Sequence, residues 1–360
     1  MTGKTGMVNK RRVGIAISVL CALLIAVLLL AGCRNLFSRS KARPQPRTNQ
    51  QNAVSTFTCP IDGLPVSTEL VYQRPLAVMV ENSPASRPQS GLKDACVVYE
   101  AVTEGGITRF LAVYVHGAPK VIGPVRSTRP HFINFAREYD AALVHCGQSY
   151  EALQILATTP SIYNLDQMKH DKPFWRDRSR RAPHNLYSSA EKLRAQVQDL
   201  RWGSAPSILP NFVSKAKPLS TGPTAETVVI DFRGGVKYGL RFQYDKERGG
   251  YVRYMDGKLH TDRETGEPIV AKNILIQRVT AAQFPDSKQH TYDVTVVGSG
   301  TGLFIANGHQ APMQWKKHWD GGITSYTDDR GMPLPFQPGQ TWVEVLPMEG
   351  SVTVSGAAAG

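Results

Sequence analysis

Apolar positions are distributed differently along successive parts of the chain. Residues 13–30 are almost wholly apolar and follow Lys4, Lys10, Arg11 and Arg12, whereas residues 34–56 are polar, carry Pro44 and Pro46, and show no apolar period. Beyond Cys59, short apolar runs alternate with turn residues. The runs at 76–81, 96–103 and 108–115 are rich in Val, Ile, Leu and Tyr and are bounded by Pro and Gly, which predicts buried strands. Residues 129–139 predict a helix, 142–145 a short strand and 149–157 a second helix. Ser188, with Glu191 three residues later, forms a capping box for a third helix running toward Leu200. Four prolines and no clear period mark 203–226 as a linker. After it, strands are expected at 227–231, 238–244, 251–255, 274–279, 292–297, 303–306 and 342–346. Asp256-Gly257 and Asn307-Gly308 are hairpin signals, because both central positions of a type I′ turn need φ > 0.

This pattern predicts an α+β protein. A mixed α/β domain over residues 57–202 and the 203–226 linker precede a β-rich barrel or sandwich over 227–355, with a small-residue tail at 356–360. About three hundred residues suffice to bury two cores.

The apolar leader ends in Leu30-Ala31-Gly32-Cys33, which reads as a lipobox. Cleavage after residue 32 removes a signal peptide and leaves Cys33 to carry a diacylglycerol anchor and further acyl chains such as palmitate. The alternative is an uncleaved anchor helix, since 18 residues span roughly 27 Å at 1.5 Å each. In either case the basic end stays in the cytoplasm, and the remainder works at the extracytoplasmic face of the cell membrane. The formal charge of +13 changes meaning in this light. Four positive charges belong to the leader and five to the 33–56 tether (Arg34, Arg39, Lys41, Arg43, Arg47), which leaves +4 on the rest. That balance argues against nucleic-acid binding, and the tether charges suit anionic headgroups instead.

Cys59, Cys96 and Cys146 remain after the leader and the lipobox. Their spacings match no zinc pattern, and Cys96 and Cys146 read as small buried hydrophobes or as one disulfide. No metal or cofactor is expected.

Polar residues interrupt strands that otherwise need none. Glu81-Asn82-Ser83 ends one, Arg87 opens the following loop, and Glu104 and Arg109 flank the next turn. If Val98, Glu100 and Val102 share a strand face, Glu100 projects among apolar neighbours, with Glu104 on the same side, and it must be paired or neutralised. Arg126 and Arg129, around Ser127 at the start of a helix, can form forked bonds to a carboxylate. His145 and Ser149 bound a strand-to-helix turn whose amides can hold an anion. Trp175, in the basic stretch 174–181, reads as a packed loop or as a groove wall bordered by His184 and Asn185. Trp315, Trp319 and Trp342 read as strand core rather than as a sugar platform. Such a cluster serves either as a structural latch or as a site, and its density at several loops favours a site. Among enzymes, Ser149 lacks the Gly-x-Ser-x-Gly elbow. Cys146 and His145 are adjacent on a strand and point to opposite faces, and neither His-Glu-x-x-His nor a phosphate loop is present.

The segments 74–82, 87–92, 98–101, 104–110, 123–127 and 182–187 resemble the YerB-like lipoproteins of Gram-positive bacteria. Trp315-Lys316-Lys317 and Pro338-Gly339-Gln340-Thr341-Trp342 are similar to landmarks of that family's second domain. The resemblance implies a two-domain envelope lipoprotein without supplying a reaction. Family members commonly carry Ala-Asp-Ile-Val-Tyr-Glu where this chain has Ala95-Cys96-Val97-Val98-Tyr99-Glu100, which shifts any acid role to Glu100 and Glu104.

The expected function is binding of cell-wall material or of a wall-synthesis protein. Glu81, Asn82, Arg87, Arg109, Arg126, Ser127, Arg129, His145, Ser149, Trp175, His184 and Asn185 are the candidate binding residues. One alternative is a peptidoglycan-cleaving glycosidase or lytic transglycosylase with Glu100 or Glu104 as general acid. Another is an assembly adaptor for a membrane protein.

Overall fold

The computed structural model describes residues 56–67, 70, 72–202, 209–213, 217–232, 239–285, 287–288 and 290–356. The leader, Cys33, the tether up to residue 55 and the tail beyond Gly356 lie outside the described residues, as do parts of the expected linker. Among the described residues no helix is long and apolar enough to cross a membrane.

The strands of the first half are β1 (Thr56–Thr58), β2 (Pro65–Ser67), β3 (Leu76–Glu81), β4 (Val97–Val102), β5 (Thr108–Tyr114), β6 (Ala142–His145), β7 (Asn164–Asp166), β8 (Trp175–Arg176) and β9 (Leu186–Tyr187). Helices α1 (Pro130–Glu138), α2 (Tyr150–Thr158) and α3 (Ala190–Asp199) are interspersed. The second half contributes β10 (Thr227–Asp231), β11 (Leu240–Asp245), β12 (Gly250–Met255), β13 (Lys258–Leu259), β14 (Val270–Ala271), β15 (Asn273–Val279), β16 (Ala281–Gln283) and β17 (Tyr292–Val294). It ends with β18 (Gly298–Ala306), β19 (His309–Lys317), β20 (Ser325–Thr327), β21 (Thr341–Pro347) and β22 (Ser351–Ser355).

The predicted strands and helices are present, with local differences. Asp256 and Gly257 (φ 52° and 72°) and Asn307 and Gly308 (φ 50° and 77°) both adopt the left-handed pairs that their turns require. The α3 cap lies one residue later than expected. Ser189 Oγ accepts from Lys192 N at 3.2 Å, whereas Ser188 Oγ donates to Pro173 O at 2.8 Å. The polar-interleaved β19 and β22 escaped the apolar pattern altogether.

The larger difference lies in how the halves are joined. Instead of an α/β domain with its own sheet followed by a separate barrel or sandwich, one ten-stranded sheet runs β20-β19-β18-β15-β21-β4-β5-β3-β6-β7 through both halves. Among the described residues the protein is β-rich with three α-helices. The seam is the parallel pairing of β4 with β21, which sets Glu100 beside Glu344. Alternation along β4 assigns its two faces. Tyr99 stacks on Phe135 of α1 with ring centroids 4.2 Å apart, while Glu100 turns to the opposite side and meets Arg253 of β12. A second sheet, β13-β12-β11-β10-β22 with β14 on β12, therefore covers the face away from α1. Buried apolar residues of both halves form one continuous core.

Candidate functional site

The predicted residues divide between two places. The first is the seam interior. Glu100 is fully buried and accepts from Thr108 Oγ1 at 2.5 Å and Asn82 Nδ2 at 3.1 Å, and it pairs with Arg253 Nη2. Arg253 Nη1 bonds His260 Nδ1 at 2.7 Å, His260 Nε2 bonds Gln89 Oε1 at 2.8 Å, and the Arg253 guanidinium lies 4.5 Å from the Trp342 ring centroid. Arg87 extends this network, giving Nε to Asn82 Oδ1 at 3.1 Å and Nη1 to Asp256 at 2.7 Å. Glu344 is pushed well above the carboxylate range by burial and then by the charge of Glu100, so it stays neutral there. Glu100 thus projects among apolar neighbours, as its strand position implied, but its partner is Arg253 from the other half rather than Arg126 or Arg129. Asn82 and Arg87 serve the seam as well. Gln89, Thr108, Arg253, His260 and Glu344 were not singled out. Among these, strand alternation marks Glu344 as an acid between Val343 and Val345, as it does Glu100 between its own valines.

The second place is the end of the sheet where β3 finishes, β5 begins and α1 starts. Glu81 lies opposite Arg109 in the β3–β5 register. The turn from β4 to β5 carries Glu104, with Gly105 at φ 69°. Pro130 occupies the first turn of α1, which places Arg129 at its N-cap. Arg129 Nε bonds Glu104 at 2.8 Å and Arg129 Nη2 bonds its other oxygen, while Arg109 Nη2 approaches at 3.4 Å. Burial raises the Glu104 pKa, but Arg109 and Arg129 outweigh it and hold the carboxyl down at about 2. Burial and then Arg129 lower Arg109 to about 10, and its Nη1 is fixed on Ser127 O at 2.7 Å. His131, buried beside these cations, is lowered to about 3 by burial, Arg129 and Arg109, and neither ring nitrogen has a hydrogen-bond partner.

Glu81 completes the group. Its Oε1 accepts from His184 Nδ1 at 2.8 Å and Ser83 Oγ at 2.9 Å, and lies 3.3 Å from Arg126 Nε. Its Oε2 is buried without a hydrogen bond, and so is Arg126 Nε. Among the described residues the Arg126 guanidinium makes no hydrogen bond, and its side chain is 28% exposed. Three arginines therefore converge on two carboxylates, leaving a surplus positive charge and one guanidinium open to solvent. This arrangement can bind an anion. Glu104, held ionised by its two arginines, is not poised to deliver a proton near neutral pH.

The remaining predicted residues hold structure. His145 is fully buried between Gly147 O at 2.8 Å and Asn164 Oδ1 at 2.6 Å, and burial lowers its pKa. Ser149 caps α2, accepting from Ala152 N at 3.2 Å. Asn185 ties its own loop together, bonding Arg176 Nη1 at 2.9 Å and Asp177 O at 3.2 Å. Trp175 is half-buried, with its ring centroid 6.5 Å from that of Tyr187. Trp315 and Trp342 are core, whereas Trp319 is 65% exposed. A separate cleft of about 340 Å³ opens across the seam, lined by Pro84, Arg87, Pro88, Asp256, Leu259 and His260 among others.

Residues 61–203 match the N-terminal domain model of the family described as protein of unknown function DUF3048, and residues 228–343 match its C-terminal domain model. The chain is 32% identical over 340 residues to the Bacillus subtilis (strain 168) protein named "Putative lipoprotein YerB", covering 93% of this chain and 96% of that protein. The crystal structure of YerB from Bacillus subtilis superposes with a TM-score of 0.73 at 31% identity, over 82% of this chain and 99% of the solved one. The family resemblance carried by the sequence motifs is thereby established.

Proposed function

The chain belongs to the DUF3048 family, and on that premise we propose that it is a membrane-anchored, extracytoplasmic lipoprotein that binds anionic cell-wall material through Arg126. The leader and lipobox of the sequence support the anchoring, as does the printed name of the Bacillus subtilis relative. The observation that carries the binding role is Arg126 at the sheet end: its side chain is 28% exposed, its guanidinium makes no hydrogen bond among the described residues, and Nε is held only by the ion pair to Glu81 Oε1 at 3.3 Å. A polar group left in this state costs free energy that a ligand recovers on binding. The exposed part of the guanidinium offers a cation for a carboxylate or phosphate. Peptidoglycan stem peptides present carboxylates. The test is co-sedimentation of the purified protein with peptidoglycan. Wild type pellets, and Arg126→Ala weakens binding about 10- to 100-fold, the equivalent of one charged hydrogen-bonding group. Equal pelleting of the two proteins refutes the reading.

A further inference from the structure

At the end of the β4–β5 hairpin away from the arginines, Cys59, Asp62, Cys96 and His116 bring their ligand atoms within 4.8 Å of one another. We propose that these four residues bind a single zinc ion that staples the N-terminal hairpin to the central sheet. They come from three segments. Cys59 and Asp62 lie in the turn between β1 and β2, where Cys59 N bonds Leu64 O at 2.8 Å and Asp62 Oδ1 accepts from Leu64 N at 3.1 Å. Their Cys-x-x-Asp spacing is that of a zinc knuckle with a carboxylate in place of the second thiol. Cys96 immediately precedes β4 and is fixed by Cys96 N to Val113 O at 2.8 Å and by Thr341 N to Cys96 O at 3.0 Å. His116 follows β5, and its Nε2 lies 2.6 Å from Asp62 Oδ2.

Cys59 and Cys96 are 0% and 1% exposed and Asp62 is 5% exposed, so the donors face one another rather than water. Two sulfurs, one imidazole and one carboxylate make a four-donor set with the softness and coordination number that zinc prefers. Loading replaces the Asp62–His116 hydrogen bond with two metal bonds and releases the protons held by the sulfurs and by the ligating imidazole nitrogen. The loaded centre carries one net negative charge. Arg194 is at hand to face it, since its Nη2 donates to Val115 O at 2.8 Å, one residue from His116. Sequence spacing hid the cluster because its donors are split between a turn and the two ends of a strand pair.

The full chain, purified in detergent under reducing conditions without chelator, is assayed for metal by mass spectrometry and then reloaded with Co²⁺. Expected are about one zinc per chain, a thiolate-to-cobalt charge-transfer band, and tetrahedral ligand-field absorption. Cys59→Ala, Cys96→Ala and His116→Ala lose the metal, and Cys146→Ser keeps it. The cobalt spectrum of the unmutated chain decides the matter even if a variant fails to fold. Absence of both zinc and cobalt bands with free thiols overturns the proposal. So does a chain lighter by two hydrogens whose Cys59 and Cys96 titrate only after reduction, because that marks a disulfide.

Discussion

The seam and the sheet end contain the same chemistry, acids facing arginines, and differ in access. At the seam the side chains of Arg253 and Glu100 are 0% and 1% exposed, whereas at the sheet end Arg126 is 28% exposed beside an unsatisfied Glu81 oxygen. Unsatisfied atoms occur in both places, since Arg253 Nε lacks a partner and the Glu344 carboxyl has only the Glu100 carboxylate beside it. Those of the seam belong to fully buried side chains, and Glu344 remains protonated. Acid and base content therefore does not separate a latch from a site in this molecule. Solvent access to an unspent group does. The Glu138–Lys317 pair at 2.6 Å, with both side chains fully buried, is a second latch that pins α1 to β19.

The comparison breaks most visibly at Arg253. Arg253→Ala strands the Glu100 charge in the core and is expected to cost about 4 kcal/mol, read by chemical denaturation, with Glu100→Gln added in the same chain recovering part of it. Next comes Glu104→Gln, which leaves Arg109 and Arg129 buried without their shared anion, at about 3 kcal/mol. The pH profile sharpens this expectation. With its pKa lowered from 4.5 to about 2, Glu104 contributes stability that is fully present above pH 4.5 and lost as pH falls toward 2, so Glu104→Gln flattens that acid limb. Glu344 has the opposite sign. Its raised pKa gives stability below pH 4.5 that is lost as pH rises through the folded value, so Glu344→Gln stabilises the protein at neutral pH by about 1 kcal/mol. The smallest effect on folding is at Arg126, where alanine removes a partly exposed ion pair to Glu81 and is expected to cost about 1 kcal/mol or less by thermal melting.

How much of this was legible in the sequence depends on range. Strands β3, β4 and β5 are continuous apolar runs, and the two Asx-Gly turns state their own geometry, so these elements follow from local pattern. The burial of Glu100 also follows, from alternation with Val98 and Val102. Its partner does not, because Arg253 lies 153 residues away and reaches Glu100 only through the packing of the second sheet on the first. The parallel pairing of β4 with β21 is of the same kind, since no periodicity encodes which strand lies beside which. Strand β19 was hidden by alternating polar residues and Pro312. At the sheet end the sequence indicated the residues Glu81, Glu104, Arg109, Arg126, Arg129 and His184. Which of them remained unspent depended on distances of a few tenths of an ångström.

Wall co-sedimentation of Arg126→Ala beside wild type, with melting curves on the same preparations, tests the division between latch and site most directly. The account predicts a melting curve close to that of wild type and binding reduced at least about 10-fold, the scale of a charged hydrogen bond. Undiminished binding with a lowered melting temperature would place Arg126 among the latches and contradict it.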